Sequence, residues 1–436
     1  MMHRTRLTAT AGAVAALSLT VAACGGGEGS DAGGEVGGEI AYSFWGNPDR
    51  GRLVEEVASL FAEEHPGATV DAEVADYLAY IERLTVRAAG GDLACATGTQ
   101  TTFLSQYAEN GVLRPLDDLI ESGEIDTSEI PEDVLAAGQV DGEQVMIPTG
   151  TFVRVLAYNA DLAESAGVSA PGDDMTWAEY ADWLRAMRGE LPDGVYPGEN
   201  EGGIMFTLTS WVVGHGEQMF DGDELGFDRE LLTEYFEYWI GLAEDEAVIP
   251  PAMIPTMEGA LELTPMATRQ VVAGTRDIPH IYIMEEALAG AGDPEDVAWT
   301  SMPSESPDRP ANVLGANGIS IPTDCDNVAT AAAFVDFFAN DTDAALAFRS
   351  DNGILTNQSA QDALLDDPET PDGVKQNVTI LQELTDAGDL ATTTYPAGLN
   401  TMTNELRRVY SAAAFGEMSV DEAVESFFSA ADEALS

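Results

Sequence analysis

The sequence predicts an α/β fold, and three observations carry that prediction. Apolar, strand-like runs alternate with amphipathic helical runs from residue 39 onward. At 436 residues and 45% apolar content, the chain can bury a sizeable core in one to three domains. One extended stretch, Val145 to Asn159, reads as two β-rich runs, Val145–Ile147 and Phe152–Tyr158, separated by Pro148-Thr149-Gly150-Thr151. Pro interrupts a strand ladder and Gly admits unusual backbone angles. The expectation is a polar, hydroxyl-rich joint that hinges two lobes and contributes to a binding site.

The N-terminal segment reads as processing rather than structure. His3, Arg4 and Arg6 precede an apolar run, Leu7 to Ala22, too short for a comfortable membrane span. Leu19-Thr20-Val21-Ala22-Ala23 before Cys24 resembles a bacterial lipobox. Residues 1–23 are then a lipoprotein signal peptide, and Cys24 is lipidated. The alternative is an ordinary secretory signal cleaved near Ala23. Buried acyl chains contribute roughly 0.8 kcal/mol per CH₂, enough to hold a protein at a membrane when several share one Cys. Residues 24–38 are a Gly-rich tether, a flexible coil spanning about 20 Å. No other stretch reads as transmembrane, so the body is expected at the extracellular face, anchored by lipid.

Along the body, Glu39–Phe44 is a strand and Leu53–Glu64 a helix stopped by His65-Pro66-Gly67. Ala68–Val74 is a strand, Tyr77–Ala89 a helix ended by Gly90-Gly91, and Thr101–Asn110 a third helix. After the joint, Asp161–Gly167 is a short helix. Thr176-Trp177-Ala178-Glu179 is a capping box that opens another. Asp228 opens a helix in which Trp239 is core. Val271–Met284 is partly extended and interrupted by Pro279. Val297–Met302 and Gly318–Pro322 are strands. Val328–Ala339, Val374–Ala387, Asn404–Phe415 and Val420–Leu435 are helices.

The charge is unusual: 77 acidic against 18 basic residues, net −59, with Lys375 the single lysine. Such a surface excludes nucleic acid, which needs a basic footprint. The acid is spread along the chain, which suits salty surroundings where screening removes self-repulsion. With Cys24 lipidated, Cys95 and Cys325 remain; they either pair as a disulfide or stay as two buried thiols. There is no Gly-x-Ser-x-Gly elbow, no His-Glu-x-x-His, and only four histidines. No cofactor, no metal and no catalytic residue are expected, and the protein reads as not an enzyme.

The landmarks then fall into a recognisable order. Ile40 to Gly46 is an opening strand ending in an aromatic-Gly turn. Ala88-Ala89-Gly90-Gly91-Asp92 precedes Tyr107 to Asp117. Asp141-Gly142 leads to Pro148-Thr149-Gly150 and Tyr158-Asn159-Ala160-Asp161-Leu162. Thr176-Trp177 follows, then Gly318 to Pro322 and Gly353-Ile354-Leu355-Thr356-Asn357. Across residues 39–436 the chain resembles the maltose-binding-like extracellular solute-binding proteins of carbohydrate ABC importers, family 1. One segment departs from that pattern: Leu93 to Thr101 carries Cys95 where relatives usually carry Asp.

The resemblance implies a two-lobed periplasmic-binding-protein-like fold of type II, with ligand in the cleft and about three crossings at the hinge. Lobe 1 would be residues 39–148 and 304–351, and lobe 2 residues 149–303 and 352–436. The crossings would lie at the joint, near Met302-Pro303 and near Asn352-Gly353. Function would be capture of a sugar or oligosaccharide by hinge closure and delivery to ABC permease transmembrane subunits. A monomer is expected. The alternatives are a receptor for a polyamine, a metal or a signalling role, and, further off, a carbohydrate-active enzyme.

A sugar needs flat rings for its C–H faces and convergent hydrogen-bonding groups for its hydroxyls. Trp45, Asn47 and Asp49 lie past the end of the first strand, where α/β sheets bind ligands; the alternative is a core Trp beside a polar turn. Thr99, Gln100 and Thr101, within Thr97 to Thr102, are either contacts or a cap-and-turn cluster. Thr149, Thr151 and Phe152 belong to the joint. Trp211 and His215 follow an apolar run and are equally core candidates. His280 and Tyr282 follow Pro279, where the resemblance places ligand contacts. Asn317 is a turn residue or a cleft amide.

Overall fold

The computed structural model describes residues 34–436, apart from 223, 258–260, 291–296 and 307. The signal peptide, Cys24 and most of the tether therefore lie outside the described residues. No described helix is long and apolar enough to cross a membrane.

The α/β expectation holds as a mixed sheet of nine strands flanked by helices. From one edge the order is Ala68–Ala75, Gly38–Trp45, Ala96–Gln100, Val313–Ser320, Ile147–Asn159, Val271–Asp277 and Tyr196–Gly198. Val297–Thr300 also pairs with Ile147–Asn159, and Ala391–Thr392 with Val313–Ser320. The first three strands run parallel, and Ala96–Gln100 meets Val313–Ser320 antiparallel.

Ile147–Asn159 is the spine. Its residues 147–153 pair with Val313–Ser320, and residues 154–158 with Val271–Asp277. The joint is thus not a break, which corrects the expectation. Pro148 to Thr151 stay in one 13-residue strand. The register shifts between Asn317 and Gly318, which face Gly150 and Pro148, so Thr149 is the extra residue of a β-bulge. A bulge is one of the few places in a sheet interior that tolerates a proline. Gly150 is required by a close approach: a Cβ there would sit 2.4 Å from the Asn352 carbonyl oxygen. Beside it, Thr151 and Ile354 exchange backbone hydrogen bonds of 2.7 and 2.9 Å.

Other elements shift for local reasons. The first helix is Pro48–Glu64, starting earlier than expected, because Asn47 caps it and Pro48 suits its first turn. Val271–Met284 divides into strand Val271–Asp277 and helix Ile278–Gly290, with Pro279 again in a first turn. The expected tether ends before residue 38. Gly38 opens the first strand, and Gly37 donates to Thr330 Oγ1 at 2.9 Å and accepts from Asn327 Nδ2 at 2.8 Å.

The buried apolar side chains form three clusters. One centres on Tyr42, Phe61, Phe334 and Phe338. A second holds Trp177, Trp211, Tyr235 and Trp239, confirming Trp239 as core. A third joins Trp45, Tyr80, Phe103, Tyr107 and Met146. Cys95 and Cys325 are joined in a disulfide, Cα–Cα 4.9 Å, which resolves the open alternative in favour of the bridge.

Candidate functional site

The spine strand and its neighbours border a cavity of about 530 Å³. One set of lining residues is a continuous hydrogen-bonded network. Thr102 Oγ1 donates to Gln100 Oε1 at 2.7 Å, and the Tyr77 hydroxyl donates to the same oxygen at 3.4 Å. Gln100 Nε2 donates to Asn317 Oδ1 at 2.8 Å, and Asn317 Nδ2 to the Asn352 carbonyl at 2.9 Å. Asn352 Oδ1 accepts from Arg50 Nη1 at 2.9 Å, and Arg50 also pairs with Asp351. Backbone pairing places these groups together: Gln100 and Asn317 are cross-strand partners, and Asn317 faces Gly150.

The other set comes from later in the chain. The helix Met205–Gly214 offers Met205 and Phe206, and Phe206 meets Phe152 edge-to-face at 6.4 Å. The strand-to-helix junction at 277–278 brings Asp277, Pro279, His280 and Ile283. Leu399, Asn400, Thr403 and Arg407 come from one face of the helix Leu399–Ala414.

Three arginines at and behind this cavity are paired with carboxylates of the protein. Arg50 holds Asp351. Arg154 lies 3.2 Å from Asp277 and stacks over the Phe206 ring at 5.3 Å. Behind them Arg276 grips Glu199 with two hydrogen bonds of 2.7 and 2.6 Å. Glu201, buried next to that pair, accepts from Thr275 N at 2.6 Å and Thr207 Oγ1 at 2.9 Å. Burial, then the neighbouring Glu199 charge, raises its pKa above the ordinary carboxyl value. His280, 3.9 Å from Asp277, has a lowered pKa. Desolvation is the main cause, and the Arg154 and Arg276 guanidiniums add to it against the opposing Asp277.

Of the sequence-derived candidates, Gln100, Phe152, His280 and Asn317 line this cavity. The others lie elsewhere. Trp45 is buried behind Tyr77, ring to ring at 5.9 Å, and packs on Tyr80 and Phe103. Asn47 is spent as a helix cap, accepting from Arg50 N at 2.9 Å, and Asp49 pairs with Arg52 on the surface. Thr99 bonds Ser320 at 2.7 Å inside the sheet. Thr101 Oγ1 accepts from Ala316 N at 3.3 Å. Thr149 sits buried in the bulge, and Thr151 Oγ1 donates to the Ile354 carbonyl at 3.2 Å. Trp211 is core against Trp177 and Tyr235. His215 Nδ1 donates to the Trp211 carbonyl at 2.7 Å. Tyr282 leans on Gly373 and bonds Glu286 at 2.7 Å.

Sequence reasoning missed Tyr77, Asn352, Phe206 and the Asn400, Thr403, Arg407 stripe, and reached Thr102 only as part of the Thr97 to Thr102 cluster. The stripe had a signal. Its polar positions recur at helical spacing beside Leu399, Met402 and Leu406, but the helix expected from Asn404 omits its first turn.

Known proteins bear on this arrangement. A 168-residue stretch is 29% identical to a Brucella abortus (strain 2308) chain named as a binding protein, covering 38% of this chain and 40% of that one. The chain thus spans about two fifths of the length of the curated relatives it matches. In three dimensions it is similar to an ABC substrate-binding protein of Listeria monocytogenes in complex with cycloalternan. The TM-score is 0.72 at 20% identity, over 91% of this chain and 98% of that one. It is also similar to the GacH receptor of Streptomyces glaucescens, a structure determined unliganded and with acarbose. There the TM-score is 0.72 at 18% identity, over 92% and 99%. These likenesses establish the fold. The family model for bacterial extracellular solute-binding protein matches residues 45–345, most of the chain, and the chain belongs to that family.

Proposed function

We propose that this protein is the substrate-binding component of an ABC importer and that its cleft takes an uncharged, polyhydroxylated ligand, a saccharide. One observation carries the reading. The cleft offers the amides of Gln100, Asn317 and Asn352 beside the rings of Tyr77, Phe152 and Phe206, while Arg50 and Asp277 are each ion-paired inside the protein. Amides and hydroxyls match sugar hydroxyls, and rings match sugar C–H faces. A metal ion or polyamine would instead call for carboxylates without internal partners. The saccharide-bound relatives named above support the same class.

In this reading Cys24 carries the lipid that holds the body at the outer face of the membrane, and the permease subunits receive the ligand. The two halves of the Ile147–Asn159 strand belong to two lobes that close over the ligand. Gly150 and Gly353 allow the close backbone contact at the crossing.

The test is a thermal-shift panel in high salt with mono- and oligosaccharides, polyamines and divalent metal ions. A saccharide at a hundredfold excess over Kd is expected to stabilise the chain by about 2.7 kcal/mol. Stabilisation by a cation, with none by any saccharide, overturns the proposal.

A further inference from the structure

We propose that Asn352 is a site of spontaneous covalent modification, activated by Arg50. The Gly353 backbone nitrogen attacks the Asn352 side-chain amide, and the cleft exchanges a neutral amide for a carboxylate. The step needs only water as co-reactant and does not depend on which ligand the cleft takes.

The chain carries three Asn-Gly pairs, at 110–111, 317–318 and 352–353. Glycine after asparagine removes the side chain that would crowd ring closure. At 352–353 the fold adds an electrophile held ready. Arg50 Nη1 donates to Asn352 Oδ1 at 2.9 Å, and Asn317 Nδ2 approaches the same oxygen at 3.5 Å. Arginine offers no acceptor, so the atom facing it is the oxygen and Nδ2 turns away. Arg50 is itself fixed by the Trp45 carbonyl at 3.0 Å, the Asp351 carbonyl at 2.8 Å and the Asp351 carboxylate. Attack on Cγ develops negative charge on Oδ1. A fixed guanidinium beside that oxygen stabilises the tetrahedral intermediate as an oxyanion hole does.

The two reacting nitrogens are unengaged. Among the described residues, neither the Gly353 N–H nor Asn352 Nδ2 meets an acceptor. Gly353 stands at φ 108°, a conformation open to glycine. Both residues are half-buried and line the cavity, so water reaches them. The other pairs differ on these points. Gly111 N donates to the Ala108 carbonyl at 2.8 Å and Asn110 Nδ2 to the Gln106 carbonyl at 2.6 Å. Asn317 lies in a strand paired on both sides, which restrains the rotation that ring closure requires.

In the step, the Gly353 N–Cγ bond forms and the Cγ–Nδ2 bond breaks. The amide nitrogen leaves as ammonia, taking the proton that the Gly353 nitrogen gives up. Water then opens the cyclic imide to aspartate or to isoaspartate, with no change of oxidation state. The product adds a negative charge beside the Arg50–Asp351 pair and replaces a group that donates and accepts with one that only accepts. Isoaspartate also lengthens the backbone by one carbon where Gly150 and Gly353 pass closely.

The test is peptide mapping by mass spectrometry of the native chain aged in high salt at neutral and mildly alkaline pH. A sample aged in urea and the variant Arg50→Gln, checked for an unchanged far-ultraviolet spectrum, run beside it. In the folded native chain Asn352 is expected to convert about tenfold faster than Asn110 or Asn317, an order below what an enzyme's oxyanion donor supplies. Its products should include both aspartate and isoaspartate. Urea should level the three rates, and Arg50→Gln should remove most of the lead. Asn352 left intact in the folded chain, or converted no faster than Asn110, overturns the inference. A lead that survives in urea comes from local sequence rather than from the fold and overturns it too. So does an undiminished lead in folded Arg50→Gln; if that variant does not fold, the comparison of native and urea samples still decides.

Discussion

Trp45 ends the first strand, the position from which α/β sheets commonly reach a ligand, yet its ring faces inward. The strand alternates its side chains, and at residue 45 the inward direction meets Tyr80 and Phe103. The position was legible, and the direction needed the helices that pack beside it. Asn47 was misread for a related reason: the oxygen that could meet a sugar is the one the helix start at Pro48 requires. Glu201 supplies a test at this scale. Its folded pKa lies above the ordinary value of 4.5, so between those two values the folded chain binds more protons than the unfolded one. Its contribution to stability therefore falls as pH rises through that window, and the cost persists above it. Glu201→Gln keeps the shape and removes the charge. Its melting temperature relative to wild type is expected to rise from pH 4 to pH 8. A difference that stays constant across that range would refute the assignment.

Among elements, those with strong local signals were placed correctly. The Thr176 capping box forms as expected, with Glu179 bonded back to Thr176. Asp228 caps the helix Arg229–Glu244. Elements whose signals depend on partners were placed less well, including the strand Val313–Ser320, whose first half reads as Gly- and Asn-rich turn. That strand meets Ala96–Gln100 from Ser320↔Thr97 to Asn317↔Gln100, and the Cys95–Cys325 bridge closes the end of the ladder away from the cleft. The Cys95–Cys325 bridge thus holds in register the two strands that deliver Gln100 and Asn317. The bridge spans 230 residues of sequence. Loop-closure entropy at that length stabilises by about 5 kcal/mol at the chain-entropy limit. Reduction, or the double substitution Cys95→Ala/Cys325→Ala, is expected to lower the unfolding free energy from a urea titration by an amount on that scale and so to lower its midpoint. A midpoint unmoved by reductant would rule the bridge out.

For the whole molecule, the net charge of −59 sets conditions rather than fold. Self-repulsion acts over about 10 Å at 0.1 M salt and about 3 Å at 1 M. The melting temperature is therefore expected to climb with NaCl between those concentrations, and a salt-indifferent melt would count against adaptation to brine. Against this field Arg50, Arg154 and Arg276, at and behind the cleft, are each matched to a carboxylate. That local balance separates the chemistry of the cleft from the chemistry of the surface.

By itself the sequence determined the α/β class, most helices, the family resemblance and the importance of the Val145–Asn159 stretch. These rest on periodicity, caps and short motifs, which act over a few residues. Only the tertiary structure decided that this stretch is one bulged strand, that Cys95 meets Cys325, and that Tyr77, Asn317, Asn352 and Phe206 share a cavity. Those facts depend on pairings across more than a hundred residues. Which face a side chain turns, and whether a backbone neighbour has already claimed its hydrogen bond, is set by register and packing rather than by the residue's own identity.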